Sequence, residues 1–160
     1  MKKTNIKQIL TAAVLSSIIF FSTSCSSDNS SNNAAGTTSS AGTEVFDTLK
    51  DIGIGPITTP LTLGAVDNAM ADNGSKIFAA KCVACHAIEK KVIGPALLGV
   101  TKRRAPEWIM NQILNPEEMT HKDPIAMELL GKYIAPMANQ NLTQNEAREV
   151  LEFFRTNDNK

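Results

Sequence analysis

Hydrophobic and polar positions divide the chain into four stretches of different character. Residues 9–21 are an unbroken run, mostly apolar, behind three lysines, Lys2, Lys3 and Lys7. Residues 26–43 are small and polar, with almost no charge. Residues 44–64 mix apolar positions (Val45, Phe46, Leu49, Ile52, Ile54) with Gly55-Pro56 and Pro60. That mixture predicts one short helical turn and then an extended segment wrapped on a folded body. From Val66 onward, apolar residues recur at three- and four-residue spacing, the period of an amphipathic helix.

This last stretch predicts four helices and no alternating strand, so the fold class is all-α. The first helix starts at Asp67, whose carboxylate can cap free amides, and runs to about Ala80 with Met70, Ile77 and Phe78 as apolar positions. Gly74 lies inside it, where glycine costs about 1 kcal/mol against alanine. A close crossing with another helix would offset that cost. The expected partner is the last helix, where Thr143 and Glu146 form a capping box. Val150, Leu151, Phe153 and Phe154 follow, and Phe153 or Phe154 is expected over Gly74. Between these two, Pro106 opens a short helix that Pro116 stops, and Pro124 opens another that runs to about Tyr133. Met119 and His121 fall on the connection, predicted as a loop. Pro136 breaks the chain before the last helix.

The first 24 residues read as an export signal: a positive start, an apolar run of 13 residues, then Ser22 and Ser24 before the cut. A membrane-spanning helix needs about 20 apolar residues, so a permanent span is not predicted. Ser24-Cys25 resembles a bacterial lipoprotein box, with Cys25 lipidated as the mature N-terminus, although Ser22 stands where leucine is usual. The alternative is ordinary cleavage after Ser24, which would release a soluble protein. With Cys25 lipidated, residues 25–43 become a flexible tether, residues 44–65 the approach and residues 66–160 the folded domain. One lipidated end would hold the domain on a membrane face without spanning it.

Composition narrows the chemistry. Acidic and basic side chains number 16 each, and no strongly basic domain or recognition motif points to nucleic acid. Aromatic residues are 5% of the chain. A protein-only core in fewer than about 100 residues would therefore be thin, and a large apolar cofactor would fill it.

Cys82-Val83-Ala84-Cys85-His86 supplies that cofactor. Two thiols three positions apart, followed by histidine, form the attachment signature of a c-type haem. The thiols add across the two porphyrin vinyl groups, and His86 is placed to bind iron. A thioredoxin-like reading would need a βαβ surround. A zinc reading needs four ligands, and His121 has no close second ligand to join it. Cys25 has its own use, so no cysteine pair remains for a structural disulfide.

Iron offers a second axial position, for which His121, Met110, Met119, Met127 and Met137 are candidates. Met110 and Met127 lie in predicted helices and suit a core. Met137 follows Pro136 on a loop before the last helix, 51 residues beyond His86, and is the favoured ligand. Its thioether would favour reduced iron and raise the potential. A bis-histidine site through His121 would lower it.

Residues 66–155 resemble a class I monohaem cytochrome c. The resemblance rests on Gly74 and Phe78, Cys82-x-x-Cys85-His86, Gly94-Pro95-x-Leu97-x-Gly99, Trp108, Pro136-Met137 and a closing amphipathic helix. It departs at Ala138, where many relatives have proline. The resemblance implies a small all-α fold around one covalent haem c, with first and last helices crossing and two short helices between. It implies that the Pro95 carbonyl meets the second ring nitrogen of His86. It also implies that Trp108 and one of Arg103 or Arg104 lie near the haem propionates.

The expected function is an electron carrier, not an enzyme. It would run outside the cytoplasmic membrane, from a quinol-oxidising complex to a terminal oxidase or periplasmic reductase. Lys81, Lys90, Lys91, Lys102, Arg103 and Arg104 surround the motif with only Glu89 opposing, whereas acids outnumber bases nine to five from Ala105 onward. A basic collar would steer an acidic partner. The alternatives are a haem enzyme or gas sensor with an open axial position, or a redox subunit of a larger complex.

Overall fold

The computed structural model describes residues 47–160, which form six helices. The first, α1, spans Asn68–Lys81. Asp67 caps it by accepting from the Met70 amide at 3.0 Å. The last, α6, spans Gln144–Asp158 and carries the full capping box: the Glu146 amide donates to Thr143 Oγ1 at 3.2 Å, and the Thr143 amide donates to Glu146 Oε2 at 2.8 Å. Both caps satisfy donors that a first helical turn leaves free.

Gly74 marks where α1 meets α6. A Cβ at Gly74 would overlap the backbone carbonyl of Glu149, so glycine lets the two backbones touch. The phenylalanine expected over Gly74 is not there, because the backbone of α6 itself fills that space. Phe153 and Phe154 lie further along α6 and meet Phe78 instead, with ring centroids 5.3 and 5.9 Å apart. Burying Phe78 contributes about 1.5–3 kcal/mol, and tilted or edge-on ring pairs add about 0.5–1.5 kcal/mol.

Four helices, not two, lie between them: α2 (Val100–Arg103), α3 (Pro106–Leu114), α4 (Pro116–Lys122) and α5 (Pro124–Tyr133). The stretch expected as a loop, with Met119 and His121, is α4. Pro116 both ends α3 and opens α4. Glu117 and Glu118 in the first turn and His121 and Lys122 in the last suit the helix dipole. The single turn of α2 is too short to show a period. It follows Gly99, whose φ of +75° favours glycine. Asp158, buried at the end of α6, holds α2 by accepting from the Thr101 amide at 2.9 Å and its hydroxyl at 2.6 Å.

Ahead of α1, residues 51–64 run without regular structure as a strap across α3 and α4. Asn111 on α3 is fully buried and clamps it. Its Nδ2 donates to the carbonyls of Ile52 at 2.8 Å and Ile57 at 2.9 Å, and its Oδ1 accepts from the Ile57 amide at 3.0 Å. Gly55 admits this side chain, since a Cβ there would overlap the Asn111 carboxamide. Ile57 joins the core, the Leu61 amide donates to Glu107, and Arg155 Nη2 donates to the Gly64 carbonyl at 2.6 Å.

Glu152 ties these parts together from a fully buried position. It accepts from Arg148 and Arg155, each at 2.7 Å, and from the Asp67 amide at 3.2 Å. Burial pushes its carboxyl pKa up, but the bonds from Arg148 and Arg155 outweigh this and hold it below the usual range.

Candidate functional site

The Cys82–His86 turn follows directly from the end of α1. Cys82 closes that helix with its amide on the Phe78 carbonyl, and its own carbonyl accepts from the amides of Cys85 at 3.0 Å and His86 at 2.9 Å. The chain then doubles back. The amides of Ile93 and Gly94 donate to the Cys85 carbonyl at 3.2 and 2.9 Å. This brings Gly94-Pro95 against the imidazole, and a Cβ at Gly94 would fall on the His86 ring. His86 Nδ1 lies 3.1 Å from the Pro95 carbonyl oxygen. A carbonyl only accepts, so Nδ1 carries the proton and Nε2 keeps a free lone pair.

Arg103 braces this loop: its guanidinium donates to the carbonyls of Leu98 at 2.6 Å and Ala96 at 2.9 Å. Arg104 lies over the Trp108 ring, 5.4 Å from its centroid, and is half-buried. Trp108 lines the cavity beside His86, but its indole N–H donates to buried Asp123 at 3.1 Å. Neither arginine lines the cavity. All three polar groups expected beside the propionates therefore have protein partners.

A single apolar cavity collects the sulfur and nitrogen chemistry. Cys82, Cys85, His86, Pro95 and Met137 all line it, and apolar side chains from α1, α3, α5 and α6 complete its walls. Both thiols are free. Burial pushes the Cys82 thiol pKa up, with a weaker downward pull from Lys81. Of the other candidate iron ligands, none lines the cavity. Met110 and Met119 are core residues, Met127 is half exposed, and His121 is exposed on α4. Met119 is spent elsewhere: its sulfur accepts from the Ile54 amide of the strap at 3.0 Å. Among the described residues, no three His, Cys, Asp or Glu side chains come together as a metal site.

These residues fit a haem with two thioether links. The cavity is apolar, the thiols and imidazole line it, and Gly94 lets the loop pack against the imidazole without striking it. Gln112 on α3 was missed by the sequence reading. It faces the same cavity, and its Nε2 lies 3.7 Å from Met137 Sδ. The missed signal was a lone polar residue between Ile109 and Ile113 on an otherwise apolar helix face.

Comparison with known proteins gives the same answer. The family model described as "Cytochrome c" matches residues 71–158. A "Cytochrome c-553-like" protein of Synechocystis sp. is 39% identical over 62 residues, covering 31% of this chain and 59% of that protein. Cytochrome c2 of Rhodocyclus tenuis is 32% identical over 83 residues, covering 52% of this chain and 89% of the relative. Among solved structures, a cytochrome c from Rhodothermus marinus superposes with a TM-score of 0.63 at 39% identity, covering 66% of this chain and 90% of that one. With α2 to α6, most of α1, the attachment turn and the cavity within the matched residues, this chain belongs to the cytochrome c family, and its cofactor is one covalently attached haem c.

Proposed function

We propose that this protein is a one-electron carrier whose haem is held by thioethers to Cys82 and Cys85 and ligated axially by His86 and Met137. The supporting observation is that one cavity is lined by both thiols, by a histidine with its Nε2 free, and by a single methionine. When bound, haem c supplies an iron centre that changes oxidation state by one electron. The chain does the rest. The Pro95 carbonyl fixes the His86 ring and strengthens it as a ligand. Met137 would supply the second protein ligand, and its thioether would raise the potential. The apolar walls keep water from the metal. With both positions filled by protein, substrate has no route to iron, so the protein orients and tunes the cofactor and is not itself an enzyme.

Docking rests on the exposed lysines, of which Lys81 also donates to the Gln140 carbonyl at 3.3 Å and Lys91 lies 5.1 Å from the Tyr133 ring centroid. Lys81, Lys90 and Lys91 are exposed, and Lys81 lines the cavity. Arg103 and Arg104 are committed to the loop and to Trp108, so the lysines carry the steering toward an acidic partner. The chain acts outside the cytoplasmic membrane, between a quinol-oxidising complex and a terminal oxidase or periplasmic reductase. Cys25 anchors it through lipid, with residues 26–43 as the tether. Cys25 and the export signal lie outside the described residues. Among the described residues, no helix is long and apolar enough to cross a membrane.

The test is stopped-flow oxidation of the reduced protein by membranes containing a terminal oxidase. A carrier is oxidised in a saturable reaction whose rate falls as salt screens the lysines. No oxidation at any salt concentration, together with turnover of a small-molecule substrate, would replace the carrier reading with an enzyme.

A further inference from the structure

The strap begins with a carboxyl that meets another carboxyl. Asp51 Oδ1 accepts from the Gly53 amide at 2.9 Å, while its Oδ2 is buried with no hydrogen-bond partner. Gly53 brings this side chain to the cavity wall: a Cβ there would come within 3.2 Å of Trp108 Cδ1, the carbon next to the indole nitrogen. That nitrogen donates to Asp123 Oδ1 at 3.1 Å, and the same oxygen accepts from the Ala126 amide at 2.8 Å. The Asp51 carboxyl therefore faces that of Asp123, which is only 2% exposed. Two ionised carboxylates so placed repel each other, whereas one proton between them makes a short, strong hydrogen bond. The other charged group facing Asp51 is Arg104, from the end of α2, which has Arg103 and Glu128 as its own charged neighbours. From α3 and α4 the neighbours are the Trp108 indole and the Met119 thioether.

We infer that Asp51 and Asp123 share one proton, and that this proton latches the start of the strap against Trp108. Asp123 is the acceptor, since its Oδ1 already takes two N–H donors. Asp51 is the donor, through the Oδ2 that nothing else satisfies. Burial pushes the Asp51 carboxyl pKa up, the Gly53 amide pulls it down, Asp123 pushes it up again and Arg104 pulls weakly down, for a net rise above the ordinary 3.8. A raised folded value means that the latch is complete below 3.8 and is lost as pH rises through the folded midpoint. The strap is therefore tight in acid and loosens toward alkaline pH. It loosens at its first residues, because Asn111 holds Ile57 without a titrating group. Trp108 lines the haem cavity, so ionisation of the pair uncovers the outer side of one cavity wall. Glu152 acts with the opposite sign and from α6, so the two are separated by where they are read.

The experiment compares haem-loaded wild type with Asp51→Asn and Asp51→Ala from about pH 4 to 9. Trp108 is the only tryptophan in the chain, so its indole N–H gives one NMR signal, followed in the ferrous protein. Hydrogen exchange, corrected for its intrinsic pH dependence, gives the protection of the Gly53 amide relative to the middle of α6. Wild type should show one step in the indole signal, with a midpoint above 3.8. Over that step the protection of Gly53 should fall about 10- to 100-fold, the range for a hydrogen bond to a charged group. Asp51→Asn keeps a donor that does not titrate, so the step should vanish and the protection persist at high pH. Asp51→Ala should also abolish the step, with low protection at every pH. Should Asp51→Asn not load haem, Asp51→Ala decides alone. A wild-type indole signal that does not titrate, or a step that survives loss of the Asp51 carboxyl, would overturn the inference. So would a fall in Gly53 protection that is equal in wild type and Asp51→Asn.

Discussion

His86 Nδ1 and the Pro95 carbonyl oxygen lie 3.1 Å apart, nine residues from each other along the chain. The contact exists because the amides of Ile93 and Gly94 turn back onto the Cys85 carbonyl. It assigns the ring proton to Nδ1 and aims Nε2 into the cavity. Gly94 is the hinge of this arrangement, since any Cβ there would strike the imidazole. Gly94→Ala should therefore displace the ring and weaken its bond to iron. The expected result is a lower yield of haem-loaded protein, with ferrous protein that binds carbon monoxide more readily than wild type, measured by optical titration.

The crossing of α1 and α6 gives a second prediction. Gly74→Ala would drive a methyl group into the Glu149 carbonyl. Neither backbone can yield without moving the Phe78, Phe153 and Phe154 cluster. The expected loss is about 1–3 kcal/mol, the range for overpacking a close contact, read as a lower Tm. An unchanged Tm would mean that the helices do not touch at this point.

Glu152 makes acid stability specific. Its folded pKa is lowered from the usual 4.5 by Arg148 and Arg155. The stabilisation is therefore present above the unfolded value and is lost as pH falls through the folded one. Tm should hold from neutral pH to about 5, then fall as Glu152 protonates. Glu152→Gln should lower Tm at pH 7 and flatten part of that acid limb. The loss reflects two arginines left without their carboxylate as much as the missing pairs themselves.

The strap is predicted to be part of the folded unit. Asn111→Ala removes both donors and the acceptor that hold Ile52 and Ile57. It should cost about 2–3 kcal/mol, since it leaves two buried backbone groups of Ile57 and the partly buried Ile52 carbonyl without these partners. Hydrogen exchange should speed up at Ile57 more than in the middle of α6. Equal acceleration at both would show global destabilisation without release of the strap.

Much of this was legible in the sequence, for identifiable reasons. Asp67, Thr143, Pro106 and Pro124 announced four helix starts because capping and proline chemistry are local. The attachment turn was legible because its function depends on spacing alone. What escaped depended on three-dimensional neighbours. Pro116 read as a stop and is also a start. No local pattern announces that the indole N–H of Trp108 meets Asp123, 15 residues away, or that Arg103 donates into the loop that holds Pro95. Met119 and Met137 look alike in sequence. The fold buries one against the Ile54 amide and turns the other into the cavity.

The central claim is that His86 and Met137 occupy both axial positions. It is tested most directly by optical spectra of haem-loaded protein carrying Cys25→Ser and lacking the export signal, with and without carbon monoxide, beside the same protein with Met137→Ala. The account predicts that the parent shows the weak far-red sulfur-to-iron band when ferric and ignores carbon monoxide when ferrous. Met137→Ala should lose the band and bind the gas. Prompt carbon monoxide binding by the parent, or a far-red band that survives Met137→Ala, would contradict it.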